Sequence, residues 1–289
     1  MTAMIYPTTN PAAAEQMMVT RGEGPYIFDQ QGKRYLEGMA GLWCTALGYG
    51  NEEIIDVAQR QMRDLSFSHM FGGKTHAAAI ELADKLASMV PMNDGRVFLG
   101  NSGSDANDTL MKLIRYHAEA SGQPNRIKVI AREQGYHGVT LASAALTAIP
   151  TNHTHFQLPF EALGVLRTGS ANYYRGGHDG ESESDFVARR AQELEALILA
   201  EGPDTIAAMI AEPVSGAGGV IVPPAGYFDA VQQVLDRYGI WLWDDEVICG
   251  FGRLGTDFGA TKMGMAPQMI TLAKALSSAY VPISAAIVQ

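Results

Sequence analysis

From about residue 95 onward, short apolar runs alternate with longer stretches of helical period, and this rhythm limits the chain to few architectures. RVFLG (96–100), RIKVIA (126–131), TIAAMIAEPV (205–214), IWLWDDEV (240–247) and MITLAK (269–274) read as strands. Between them DANDTLMKLIRYHAEA (105–120) and GYFDAVQQVLDRY (226–238) place apolar residues at three- and four-residue spacing, the period of a helix with one buried face. Strands apolar on both faces and separated by helices predict an α/β fold, a mostly parallel sheet flanked by helices. In such sheets ligands bind beyond the carboxyl ends of the strands, so the residues that end each strand carry the functional argument.

Upstream, GPYIFDQQGKRYLEG (24–38) predicts a hairpin, and helical period dominates 51–65 and 75–90. Ser182 and Asp185 form a capping signal ahead of a helix with Val187, Ala191, Leu194 and Ile198 on one face. Residues 151–181 read as one long irregular segment. A net charge of −10 argues against nucleic acid or an anionic membrane surface as partner. No stretch is long and apolar enough to span a bilayer, and the first residues have no signal-peptide pattern. Cys44 and Cys249 lack a metal or redox spacing, so a reducing, cytoplasmic setting is expected.

Three successive carboxylates, Asp244, Asp245 and Glu246, end an otherwise apolar strand, and buried acids need partners. Strand alternation sends Asp245 to one face and Asp244 and Glu246 to the other, where solvent or basic partners are expected. At the other strand ends stand Ser102, Gly103 and Ser104, which open a helix whose amides suit a phosphate, and Tyr136 with His137 on a loop. Glu212 precedes a proline, and Lys274 closes an apolar run. Each has an ordinary reading: an N-cap, a packing aromatic, a salt-bridged turn, a snorkelling lysine. Together, a phosphate cradle, an aromatic plate, an acid and an amine able to form a Schiff base with an aldehyde fit pyridoxal 5′-phosphate (PLP). The acid would pair with the protonated ring nitrogen. Gly250, Gly252 and Gly255 match G-x-G-x-x-G by spacing only, with no helix opening on them. His153 and His155 lack neighbouring ligands, so no metal site is expected.

GLWCTALGYG, NSGSDANDT, GYHGVTLAS, IAEPVSGAGGVIVPPAGYF, WDDEVICGFGRLG and TLAKALSSAYVPISAAIV run in an order that closely resembles the class III PLP-dependent aminotransferases, nearest in look to the amine–pyruvate, or omega-, transaminases. The resemblance implies the type I fold of PLP-dependent transferases (aspartate aminotransferase-like), with 1–70 an N-terminal segment belonging to the small domain and 71–289 the PLP-binding large domain. It implies that Lys274 is the Schiff-base lysine and that Asp245 binds the pyridine nitrogen. Val247 and Tyr136 would face the two sides of the ring, Ser102, Gly103 and Ser104 the phosphate, and His137 and Glu212 the rest of the cofactor site. Trp43, Phe71, Tyr136, Val139 and Ala217 would shape the substrate pocket, Phe71 from the partner subunit of a homodimer. The implied reaction transfers an amino group from a primary amine or omega-amino acid to pyruvate.

The chain also departs from the family pattern. Asp105 stands for the usual glutamate, and Ala275 and Ala279 for usual glycines. It stops at Gln289, whereas family members continue for roughly half as many residues again. The expectation is a C-terminally incomplete piece of a longer protein, with apolar core left uncovered by the terminal strand. Two other readings stand beside the main one: a 2-oxoglutarate-using ornithine, GABA or diamine transaminase of the same family, and a catalytically silent protein of this fold.

Overall fold

A computed structural model of the chain describes residues 3–10 and 16–289, which divide into two compact units, 1–66 and 67–289. The reading of the N-terminal stretch as free of a leader falls partly on residues outside that described set. In the first unit β1 (Val19–Glu23), β2 (Tyr26–Asp29) and β3 (Arg34–Leu36) form an antiparallel sheet in that order. The expected hairpin is β2–β3. Its turn is held by the Asp29 carboxylate, which accepts from the amides of Gln31 and Lys33, both at 2.9 Å, and from the Tyr35 hydroxyl at 2.7 Å. Helix α1 (Glu52–Asp64) follows, with Asn51 as its N-cap.

The second unit holds α2 (Ala77–Met89) and a seven-stranded sheet in the order β4-β10-β9-β8-β7-β5-β6. The strands are β4 (Arg96–Gly100), β5 (Lys128–Arg132), β6 (Val165–Thr168), β7 (Ile206–Ala211), β8 (Trp241–Asp245), β9 (Met269–Leu272) and β10 (Ser284–Val288). Only β10 runs antiparallel to its neighbours, β4 and β9. Helices α3 (Gly103–Ala120), α4 (Glu183–Glu201) and α5 (Tyr227–Arg237) cover the faces. Strand alternation sorts the core. Val129, Ala131, Ile210 and Trp243 pack with Leu110, Met111 and Ile114 of α3. Ile130, Met209 and Leu242 point the other way, to Leu194, Ile198, Val231 and Leu235 of α4 and α5.

Two expectations are corrected. Residues 151–181 are not one irregular segment: they contain β6, which pairs parallel with β5 at the sheet edge. The short run VLRT offers too few residues to show a period. The terminal strand also does not leave the core bare, because β10 inserts between β4 and β9, where Ala285, Ala286 and Ile287 are buried.

Candidate active site

The parallel strands end together. Ala131 of β5 lies in register with Ile210, Ala211 with Asp244, and Asp245 with Thr271, so the residues following β5, β7, β8 and β9 share one edge of the sheet. Helix α3 starts at the same edge. Ser102 is its N-cap, its hydroxyl accepting from the Asp105 amide at 3.2 Å. The amides of Gly103 and Ser104, ahead of the capped one, present the positive end of an 18-residue helix. Glycine is required at 103 because a Cβ there would lie 2.9 Å from Val247 Cγ2. Ser104 Oγ accepts from the Val139 amide at 3.1 Å and so ties the helix start to the loop after β5.

Asp245 is buried on the α3 side. Its Oδ1 accepts from the Val247 amide at 3.1 Å, and its Oδ2 is 2.8 Å from His137 Nδ1 and 3.2 Å from Asn107 Nδ2. Both of its oxygens thus meet N–H groups. Glu212, after β7, accepts from the amides of Tyr136 at 3.0 Å and Gly216 at 2.9 Å. Burial nonetheless pushes its carboxyl above the ordinary range, and the Asp245 charge adds to the rise. The half-buried Tyr136 phenol is raised by the same two causes, burial first. Lys274 follows β9 by two residues, is partly buried, and has φ +46°, a left-handed backbone that a non-glycine residue seldom adopts and that marks strained functional positions. Ala279 has φ +64°, likewise in the left-handed region that favours glycine.

The face opposite Asp245 departs from expectation. Asp244 and Glu246 meet neither solvent nor an ion-paired base: both have no exposed surface. Glu246 Oε1 accepts from the Ala260 amide at 2.6 Å. Asp244 is pushed well above the ordinary aspartate range by burial first and by the Glu246 carboxylate next. A strand facing helices on both sides has no solvent for either set of alternating side chains.

Tyr136, His137, Glu212, Asp245, Val247, Ser102, Gly103 and Ser104 thus meet at one edge, with Lys274 on the neighbouring strand end. Val139 and Ala217 are exposed there, on the loop after β5 and on the turn after β7. Phe71 is 82% exposed near the start of this unit. Trp43 belongs to the first unit, partly buried in a left-handed turn over Ala40–Trp43. His153 is a packing residue: its Nε2 meets the carbonyls of Ala144 at 3.1 Å and Thr147 at 2.6 Å. Sequence reasoning missed Asn107 and Thr271. Asn107 was signalled, being a polar residue on the apolar stripe with Leu110, Met111 and Ile114; Thr271 was not, since threonine is ordinary in strands.

The arrangement can seat an anion at the α3 start, a flat ring beside Tyr136 and Val247, and a cationic N–H at Asp245, with Lys274 following the neighbouring strand β9. The family profile described as Aminotransferase class-III matches residues 9–289. A probable gamma-aminobutyrate transaminase 2, mitochondrial, of Oryza sativa subsp. indica is 49% identical over 275 residues, covering 95% of this chain and 55% of that protein. The vanillin aminotransferase of Capsicum annuum is 46% identical, with 95% and 60% covered. The crystal structure of an omega transaminase from Pseudomonas jessenii in complex with PMP superposes with a TM-score of 0.97 at 48% identity, covering 99% of this chain and 63% of that one. The chain spans little more than half the length of the curated relatives it matches. Among the described residues no helix is long and apolar enough to cross a membrane.

Proposed function

Because this chain belongs to the class-III aminotransferases, with their type I fold, we propose that the whole protein is a PLP-dependent transaminase that moves an amino group from a primary amine or omega-amino acid to a keto acid, pyruvate in our reading. The observation that carries this is the pairing of strand ends: Asp245 in register with Thr271 on β9, three residues before Lys274.

The residues suit the cofactor. Gly103 keeps the α3 start clear of Val247, and a Cβ on Gly138 would stand 2.4 Å from Ser104 Oγ, so the cradle exists only with glycine at both positions. PLP supplies an aldehyde for the amine and a ring that takes up electrons. The chain does the rest. Lys274 offers the amine and carries the proton between substrate carbon and cofactor. Asp245, already an acceptor of three N–H groups, keeps the ring nitrogen protonated. The first-turn amides of α3 and Ser104 anchor the phosphate, with Ser102 behind them. Tyr136 and Val247 bracket the ring, and His137 and Glu212 order its surroundings. Trp43, Val139 and Ala217 shape the substrate side, and Phe71 does so from the second subunit of a homodimer. Exposed Phe67, Met70 and Phe71 support that assembly, since bunched apolar residues favour a covered surface. In this reading 1–70 belongs to the small domain and 71–289 to the large one. Both cysteines are free thiols, which supports a reducing compartment such as the cytoplasm.

A second reading is a transaminase for ornithine, gamma-aminobutyrate or a diamine that uses 2-oxoglutarate, of which the gamma-aminobutyrate donor is favoured by the names of the plant relatives. An acceptor panel on the full-length protein separates the two.

Incubation with PLP, borohydride reduction and peptide mapping test the assignment. We expect the pyridoxyl mark on Lys274 and its loss, with turnover, in Lys274→Ala of the full-length protein. Marks spread over many lysines, or wild-type turnover in the variant, would sink it.

A further inference from the structure

We propose that Asn107 is a positioning residue for Asp245, held in one orientation by a hydrogen-bond relay that begins at Trp243 and passes through Thr271. Trp243 Nε1 donates to Thr271 Oγ1 at 2.8 Å. An indole N–H can only donate, so the threonine oxygen accepts there and its one hydrogen points onward, to Asn107 Oδ1 at 2.6 Å. The asparagine therefore turns its NH2 the other way. That group meets the His137 carbonyl at 2.6 Å and Asp245 Oδ2 at 3.2 Å. A carbonyl only accepts, so His137 demands the same orientation independently.

Asp245 Oδ2 also lies 2.8 Å from His137 Nδ1. His137 Nε2 is buried without a hydrogen-bond partner, so the ring proton belongs on Nδ1, where it is bonded, and Nε2 keeps a lone pair. Asn107, Thr271 and Trp243 have no exposed surface, and His137 and Asp245 have 3% each. Water cannot replace a lost member.

The placement follows from the fold. Trp243 precedes Asp245 by two residues on the same face of β8, Thr271 is the register partner of Asp245 on β9, and Asn107 lies in the second turn of α3. Three elements and the loop after β5 are thereby tied at one carboxylate. The relay stands on the geometry alone, while its value to PLP rests on the proposed function.

The test uses the 289-residue chain. In the cofactor-free protein the Nδ1 proton of His137, buried and bonded to Asp245, should give a slowly exchanging downfield resonance, assigned by its absence in His137→Gln. In Asn107→Ala it should move upfield or vanish by exchange. Thr271→Val, isosteric but without the hydroxyl, should move it the same way by less, and Thr271→Ser should restore it. PLP affinity should fall on the order of tenfold in Asn107→Ala, about 1.4 kcal/mol, and stay within about twofold in Thr271→Ser. A resonance unmoved in folded Asn107→Ala overturns the relay, and if that variant does not fold, an unmoved resonance in Thr271→Val does so. A moved resonance with unchanged PLP affinity upholds the relay and removes Asp245 from the cofactor reading.

Discussion

Asp244 and Asp245 are neighbours with opposite fates. Asp245 meets three N–H groups, whereas Asp244 has none, and both its oxygens are buried without a partner. The sign of the consequence is fixed by linkage. An acid with a folded pKa above its unfolded value of 3.8 binds its proton more tightly in the native state. Its contribution to stability is complete below that unfolded value and is lost as pH rises toward the folded pKa. Asp244→Asn keeps the shape and removes the titration. The variant's urea midpoint should exceed the wild type's by more at pH 8 than at pH 5; an equal difference at both would show that Asp244 ionises normally. Glu246 is raised too, by burial against the opposing amides of Ala260 and Gly259.

Among the elements, α4 shows how local signals and packing combine. Ser182 accepts from the Asp185 amide at 3.1 Å and donates to its carboxylate at 2.7 Å, which caps the helix as the S-x-x-D pattern implies. Of its expected face, Val187, Leu194 and Ile198 are buried, and Phe186 joins them. Ser182→Ala should lower stability by about 1 kcal/mol, read as a urea midpoint shift, with helix content at zero denaturant unchanged because the buried face persists. A variant as stable as wild type would mean the cap contributes nothing beyond packing. The cap at α3 differs in use. Ser102 satisfies one amide and leaves those before it directed at the site, so helix formation and anion seating draw on the same turn.

For the larger unit as a whole, β10 is the decisive strand. It is last in the chain yet lies second in the sheet, antiparallel between β4 and β9. Removing residues 284–289 would strip hydrogen-bond partners from both neighbours and expose the sheet's interior. The shortened chain should unfold less cooperatively than the 289-residue chain and bind no PLP. Retention of a sharp transition by circular dichroism would show that β4 can pair with β9 directly.

The residues alone determined the alternating strands and helices, the hairpin, the caps and the strand-end residues, because period, capping chemistry and apolar runs are local properties. The candidate site was legible for the same reason: in a parallel sheet, strand ends collect on one edge whatever the strand order. Tertiary structure decided what local pattern cannot carry. VLRT was too short to show a period, yet β5 makes it a strand. Thr271 has no mark in sequence, and only the register of β8 against β9 sets it beside Asp245. Asp244 and Glu246 read as partners for solvent or a base, but helices cover both faces of the sheet, and burial raises both carboxyls above their ordinary range.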